Sequence, residues 1–79
     1  MTPRTALMKR TRARQSLPPP AECRRIREAA GASIAEIARA IQVTPQAVWA
    51  WETGKTQPNA TNLVAYVDLL ADLREVTAA

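Results

Sequence analysis

The sequence predicts an all-α domain of four to five helices, and three observations carry that prediction. Apolar residues recur three and four apart over most of the chain from Pro20 onward, and no segment alternates with the period of two that a half-buried strand requires. Proline, glycine and hydroxyl residues fall where such helices would begin and end. A chain of 79 residues is read as one domain, since chains of this size bury only about 60% of their unfolded surface and have a single core to share.

The elements follow in order. Residues 1–17 hold Arg4, Lys9, Arg10, Arg12 and Arg14 with no acidic residue and no helical period. Dense like charge with little apolar content predicts a basic N-terminal arm that is disordered in isolation. Pro18-Pro19-Pro20 makes a short stiff spacer, so the expected division is arm and spacer over 1–19 and a folded domain over 20–79. The first helix of that domain is expected over about 20–30, opened by proline, favoured by Glu22 in its first turn and stopped by Gly31. Cys23, Ile26 and Ala30 share its inner stripe.

Ser33 starts the next helix, and Glu36, three residues on, completes a capping box. Ile37, Ala38 and Ile41 are its inward stripe. Thr44-Pro45 begins a further helix over about 45–53, with a hydroxyl at the N-cap and proline at the first position, where its missing N–H costs nothing. Val48 and Trp51 face inward, and Gly54 ends the helix. Two helices joined so tightly cross steeply, the helix-turn-helix arrangement, here over about 33–53. A last helix is expected from about 61 to 76, with Leu63, Tyr66, Val67 and Leu70 closing the core. Leu69, Leu73 and Val76 make a second stripe, read as a homodimer seam against the plainer reading that they cap the core.

Charge and composition narrow the function. The net charge is +4, with the excess in residues 1–17 and a mildly acidic C-terminal end, which points to a polyanion at one side of the molecule. One cysteine and no histidine leave no disulfide framework and no common zinc-site pattern, so no metal is expected. Catalysis lacks a general base or a nucleophile, because Cys23 sits on an apolar stripe and the carboxylates are scattered. No enzyme activity and no cofactor are expected. No apolar run approaches the ~20 residues that span a membrane, and the basic N-terminus continues into prolines where a secretory signal would need an apolar stretch. A cytoplasmic, nucleoid-associated protein is the expectation.

The run Trp51-Glu52-Thr53-Gly54-Lys55 followed by Pro58, with Val48 and Trp51 as anchors and Ala38 as the small residue of the preceding helix, resembles the Cro and lambda-repressor-like (XRE) helix-turn-helix family. Ile26 to Gly31 looks like the end of that family's first helix and Asn62 to Val67 like its fourth, so the resemblance covers about residues 20–73. It departs from the family pattern at two places. Ile34 stands where glutamine is usual, and Gln42 stands at a turn often made by glycine, which asks a non-glycine residue to accept positive φ.

The site can be placed by geometry as well as by resemblance. At about 100° per residue, with Gln46 at the origin, Val48 and Trp51 fall near 200° and 140°, and the opposite face holds Gln46, Trp49, Ala50 and Thr53. The N-terminal part of such a helix enters the major groove. The Gln46 amide suits adenine N6 and N7, and the methyls of Ala47 and Ala50 suit a thymine methyl. The resemblance implies base contacts by the same positions: Thr44, Pro45, Gln46, Ala47 and Ala50. Trp49 is open to three readings: DNA contact, a protein partner, or a half-buried side chain against the preceding helix or the following loop. The family pattern also implies phosphate contacts by Ser33, Thr44, Thr53, Lys55, Thr56 and Gln57, and an Arg27–Glu52 ion pair that ties two helices together. The basic arm, Lys9, Arg10, Arg12 and Arg14, is expected to order on DNA and enter a minor groove.

These readings converge on sequence-specific binding of double-stranded DNA by a Cro-like or repressor-like transcriptional regulator, a homodimer at least on a two-half-site operator, with no small-molecule effector evident. Rival readings are an antitoxin, an excision-type factor, or a protein-interaction module built on the same fold.

Overall fold

The computed structural model describes residues 2–78. Met1 of the expected arm and Ala79 of the expected domain lie outside them. The described residues form five helices: α1 (Pro3–Ser16), α2 (Pro20–Ala29), α3 (Ile34–Ile41), α4 (Pro45–Glu52) and α5 (Ala60–Ala78). Ser33 and Glu36 form the expected capping box, with the Glu36 N–H donating to Ser33 Oγ at 3.0 Å and the Ser33 N–H donating to Glu36 Oε1 at 2.9 Å. Thr44 caps α4 by accepting from the Ala47 N–H at 3.1 Å. Asn59, unnoticed in the sequence, caps α5 by accepting from the Asn62 N–H at 3.1 Å.

The expected disordered arm is a helix. Thr2 caps α1 by accepting from the Thr5 N–H, Pro3 opens it, and Arg14 in the last turn complements the helix dipole. A capped helix this short is marginal alone, and what holds it is tertiary packing along α5. Ala13 is buried there, and Leu17, just past the helix end, packs on the core. A single small buried residue leaves almost no apolar period in the sequence of α1, so pattern reading misses it.

Between α3 and α4 the chain turns through Gln42, at φ 60° and ψ 47°. This left-handed conformation costs a non-glycine residue about 1–2 kcal/mol. The turn is closed by the Val43 N–H donating to the Ala38 carbonyl at 2.9 Å, and Val43 packs on the core. The core itself joins Cys23 and Ile26 of α2, Ile37 and Ala38 of α3, Val48 and Trp51 of α4, and Tyr66 and Leu70 of α5. Trp51 and Tyr66 meet with ring centroids 4.9 Å apart and tilted by 49°.

Two expectations about the last helix change. Val67 is half-buried and lines the depression beside Ala13, Lys9 and Arg12, so it meets α1 as well as the core side of α5. Leu69 and Leu73 do not form a stripe apart from the core: both are half-buried and pack against it, leaving Val76 as the exposed member, 73% accessible. On a helix, the expected seam and the core stripe are neighbouring arcs, and the core has taken up most of both leucines.

Candidate nucleic-acid interface

The helix that carries the candidate base contacts is held from behind by an ion pair. The Arg27 guanidinium donates to both Glu52 oxygens, at 2.7 and 3.0 Å, and a third bond runs from Arg27 to the Ala32 carbonyl at 2.9 Å. Glu52 is the last residue of α4 and its side chain is only 4% exposed. The carboxylate raises the Arg27 pKa, chiefly through these hydrogen bonds. With Val48 and Trp51 buried on the same side, α4 is fixed in roll as well as position, and its other face is set by default.

That face is open at its N-terminal end. Thr44, Pro45 and Gln46 are exposed, whereas Ala47 and Ala50 are half-buried, Ala47 packing on the core. The Gln46 side chain makes no hydrogen bond among the described residues and is free for a ligand. Trp49 is 45% exposed, beside Ile34 and Thr53. The Lys55 ammonium lies over its ring, 4.6 Å from the centroid. Spacing of six residues across a helix stop gives no periodic signal, so this pair is invisible in the sequence. An aromatic face holds a cation by about 0.5–1 kcal/mol at exposed sites, enough to bias where Lys55 presents its charge.

The candidate phosphate contacts are differently employed. Lys55, Thr56 and Gln57 are exposed in the loop after α4, whose backbone is drawn in by the Lys55 N–H donating to the Ala50 carbonyl at 2.9 Å. Thr53 Oγ1 donates to the Trp49 carbonyl at 2.9 Å, which uses its proton within the helix. Ser33 is exposed, but its N–H and hydroxyl are both engaged with Glu36. Glu36 sits at the α3 N-terminus with its pKa lowered, first by the hydrogen bond from the Ser33 backbone and then by that from its side chain. A carboxylate already occupies the position where an anion would dock. Lys9, Arg12 and Arg14 are exposed on α1 and Arg10 is half-buried.

Behind the interface lies a small polar puzzle. Tyr66 is 1% exposed and its hydroxyl has no hydrogen-bond partner among the described residues. The neighbouring Cys23 thiol instead donates to the Pro18 carbonyl at 3.4 Å. Burial raises the pKa of both groups, so neither offers a nucleophile.

A family model described as a helix-turn-helix domain matches residues 21–79. The chain belongs to that family. It lies within the XRE/Cro-like group, so the helix-turn-helix domain spans α2 to α5 and implies binding to DNA. Helix α1 precedes the matched residues. Comparisons with curated proteins and with solved structures return no match. Among the described residues no helix is long and apolar enough to cross a membrane, and no cluster of potential ligands could hold a metal ion.

Proposed function

We propose that this helix-turn-helix domain is a sequence-specific transcriptional regulator of the Cro or repressor type, reading the major groove of duplex DNA with the N-terminal half of α4. The observation that carries this reading is Gln46, exposed and unpaired at the open end of a helix whose opposite side is locked by Val48, Trp51 and the Arg27–Glu52 pair. Thr44, Pro45, Ala47 and Ala50 flank it as the surface that meets neighbouring bases, and Lys55, Thr56 and Gln57 follow as backbone contacts. Ser33 and Thr53 contribute less, since the Ser33 N–H and the Thr53 hydroxyl proton are spent inside the protein. Antitoxins and excision factors would use the same surface, so the reading stands for either regulatory setting.

Pairing belongs to the DNA complex. Half-buried Leu69 and Leu73 with exposed Val76 offer far less than the ~800 Å² per partner typical of a stable interface. Two domains on half-sites about 34–36 Å apart would be brought together by the operator.

Selection of bound duplexes from a random pool, followed by Gln46→Ala, tests the reading. The substitution is expected to cost about 1–3 kcal/mol on the selected site and to leave random DNA nearly unaffected. Equal losses on both would remove Gln46 from base recognition.

A further inference from the structure

The folding of α1 changes what its basic residues can do. The minor groove of B-DNA is about 6 Å wide, and a helix with its side chains measures about 10–12 Å across, so a folded α1 does not thread into it. Its cations are instead sorted by the directions they take from a helix fixed on α5. Lys9 and Arg12 line a depression that also holds Asp68, without an ion pair to it, and a second one shared with Arg4, Thr5 and Met8. Arg14, in the last turn, lines a different cavity of about 340 Å³.

The same cavity is lined by Gly54, Thr56 and Gln57, from the loop that leaves α4. Arg14 is exposed and makes no ion pair or hydrogen bond among the described residues. The cavity lining includes no acidic residue. A guanidinium, a hydroxyl and an amide therefore line one cleft with nothing anionic in it. Pro20 and Pro58 also line it, a surface on which a deoxyribose can pack, as do the buried Cys23 and Tyr66. Arginine is the side chain best matched to two oxygens of one phosphate.

We propose that this cleft is a phosphodiester-binding site, in which Arg14 with Thr56 and Gln57 holds a DNA backbone phosphate beside the one met by Lys55. The proposal rests on the DNA-binding reading above and adds α1, an element outside the matched residues, to one flank of the interface. Lys9 and Arg12 do not line this cleft.

The test is the salt dependence of duplex binding by the full chain, measured for the wild type and for Arg14→Ala, Arg14→Lys, Arg12→Ala and Lys55→Ala. Each phosphate contact contributes about 0.9 to the slope of log affinity against log salt. Arg14→Ala and Lys55→Ala are each expected to lower the slope by about one unit, so the affinity lost between 50 and 200 mM salt shrinks by about 3.5-fold. Arg14→Lys keeps the slope, Arg12→Ala leaves it unchanged, and Arg14→Ala stays folded, its melting temperature lower by no more than the few degrees that a lost helix-dipole charge accounts for. Ethylation interference should lose one phosphate in that variant. Titration with inorganic phosphate at constant ionic strength should show no saturable binding, because a free anion lacks the flanking contacts. An unchanged slope for Arg14→Ala, equal drops for Arg14→Ala and Arg12→Ala, or saturable phosphate binding lost in Arg14→Ala with DNA binding intact would each overturn the site. A wild type whose duplex affinity ignores salt would instead overturn the DNA-binding reading itself.

Discussion

Removing the Glu52 carboxylate should do more damage than any other single charge change in this protein. In Glu52→Ala the Arg27 guanidinium loses two of its three hydrogen bonds and keeps only the one to the Ala32 carbonyl. Its side chain is 12% exposed, so water cannot replace what is lost, and breaking such a pair costs about 3–5 kcal/mol. At about 0.05–0.15 kcal/mol per residue, a chain of 79 residues has about 4–12 kcal/mol in all. The variant should therefore be marginally folded, with a melting temperature at least ~12 °C lower, given about 4–8 °C per kcal/mol for domains of this size. Urea unfolding followed by circular dichroism measures the loss, with an unchanged m-value required for the comparison. Arg27→Met with Glu52→Leu should recover most of it, because an apolar pair carries no unpaired charge. Glu28→Ala, which breaks the Arg24–Glu28 pair whose side chains are 63% and 54% exposed, should cost no more than about 1 kcal/mol. A loss below about 1 kcal/mol in Glu52→Ala would refute the reasoning and make the pair equivalent to a surface one.

The two tryptophans should separate cleanly. Trp51→Ala, in the core and against the tilted ring of Tyr66, should cost about 3–5 kcal/mol, whereas Trp49→Ala should cost no more than about 1 kcal/mol and weaken DNA binding by releasing Lys55. Chemical denaturation and binding on the same samples check both, and a Trp49 variant as unstable as the Trp51 one would end the outward assignment. Cys23 should react with a disulfide reagent only as fast as the domain opens. Its folded pKa lies above the ordinary thiol range because burial disfavours the thiolate, so the fold gains from the protonated form below that range and loses the gain as pH rises through it. Stopped-flow labelling across alkaline pH should show this, and rapid labelling of the folded protein at neutral pH would contradict it.

The amino-acid sequence by itself determined the elements whose causes are local. Ser33 with Glu36, Thr44-Pro45, Gly31 and Gly54 mark ends of α2, α3 and α4 because a cap or a stop is chemistry within a few residues of backbone. The inward residues Ile37, Ala38, Val48 and Trp51 were legible for the same kind of reason, since a helix turns a spacing of three or four into a face. Gln42 at positive φ was an expectation of the family resemblance, which has glycine at that turn, and the structure bears it out. The candidate face of α4 came out by subtraction from that core. Where contacts join residues far apart in the chain, only the tertiary structure decided. Helix α1 exists because the α5 surface covers it, and a buried stripe reduced to Ala13 left no period to read. Leu69 and Leu73 went to the core because the neighbouring helices reach that arc of α5, which spacing along one helix cannot reveal. The meeting of Arg14 with Thr56 and Gln57 around one cavity likewise depends on the angle at which α1 docks, and that angle is a property of the packed helices and of no segment alone.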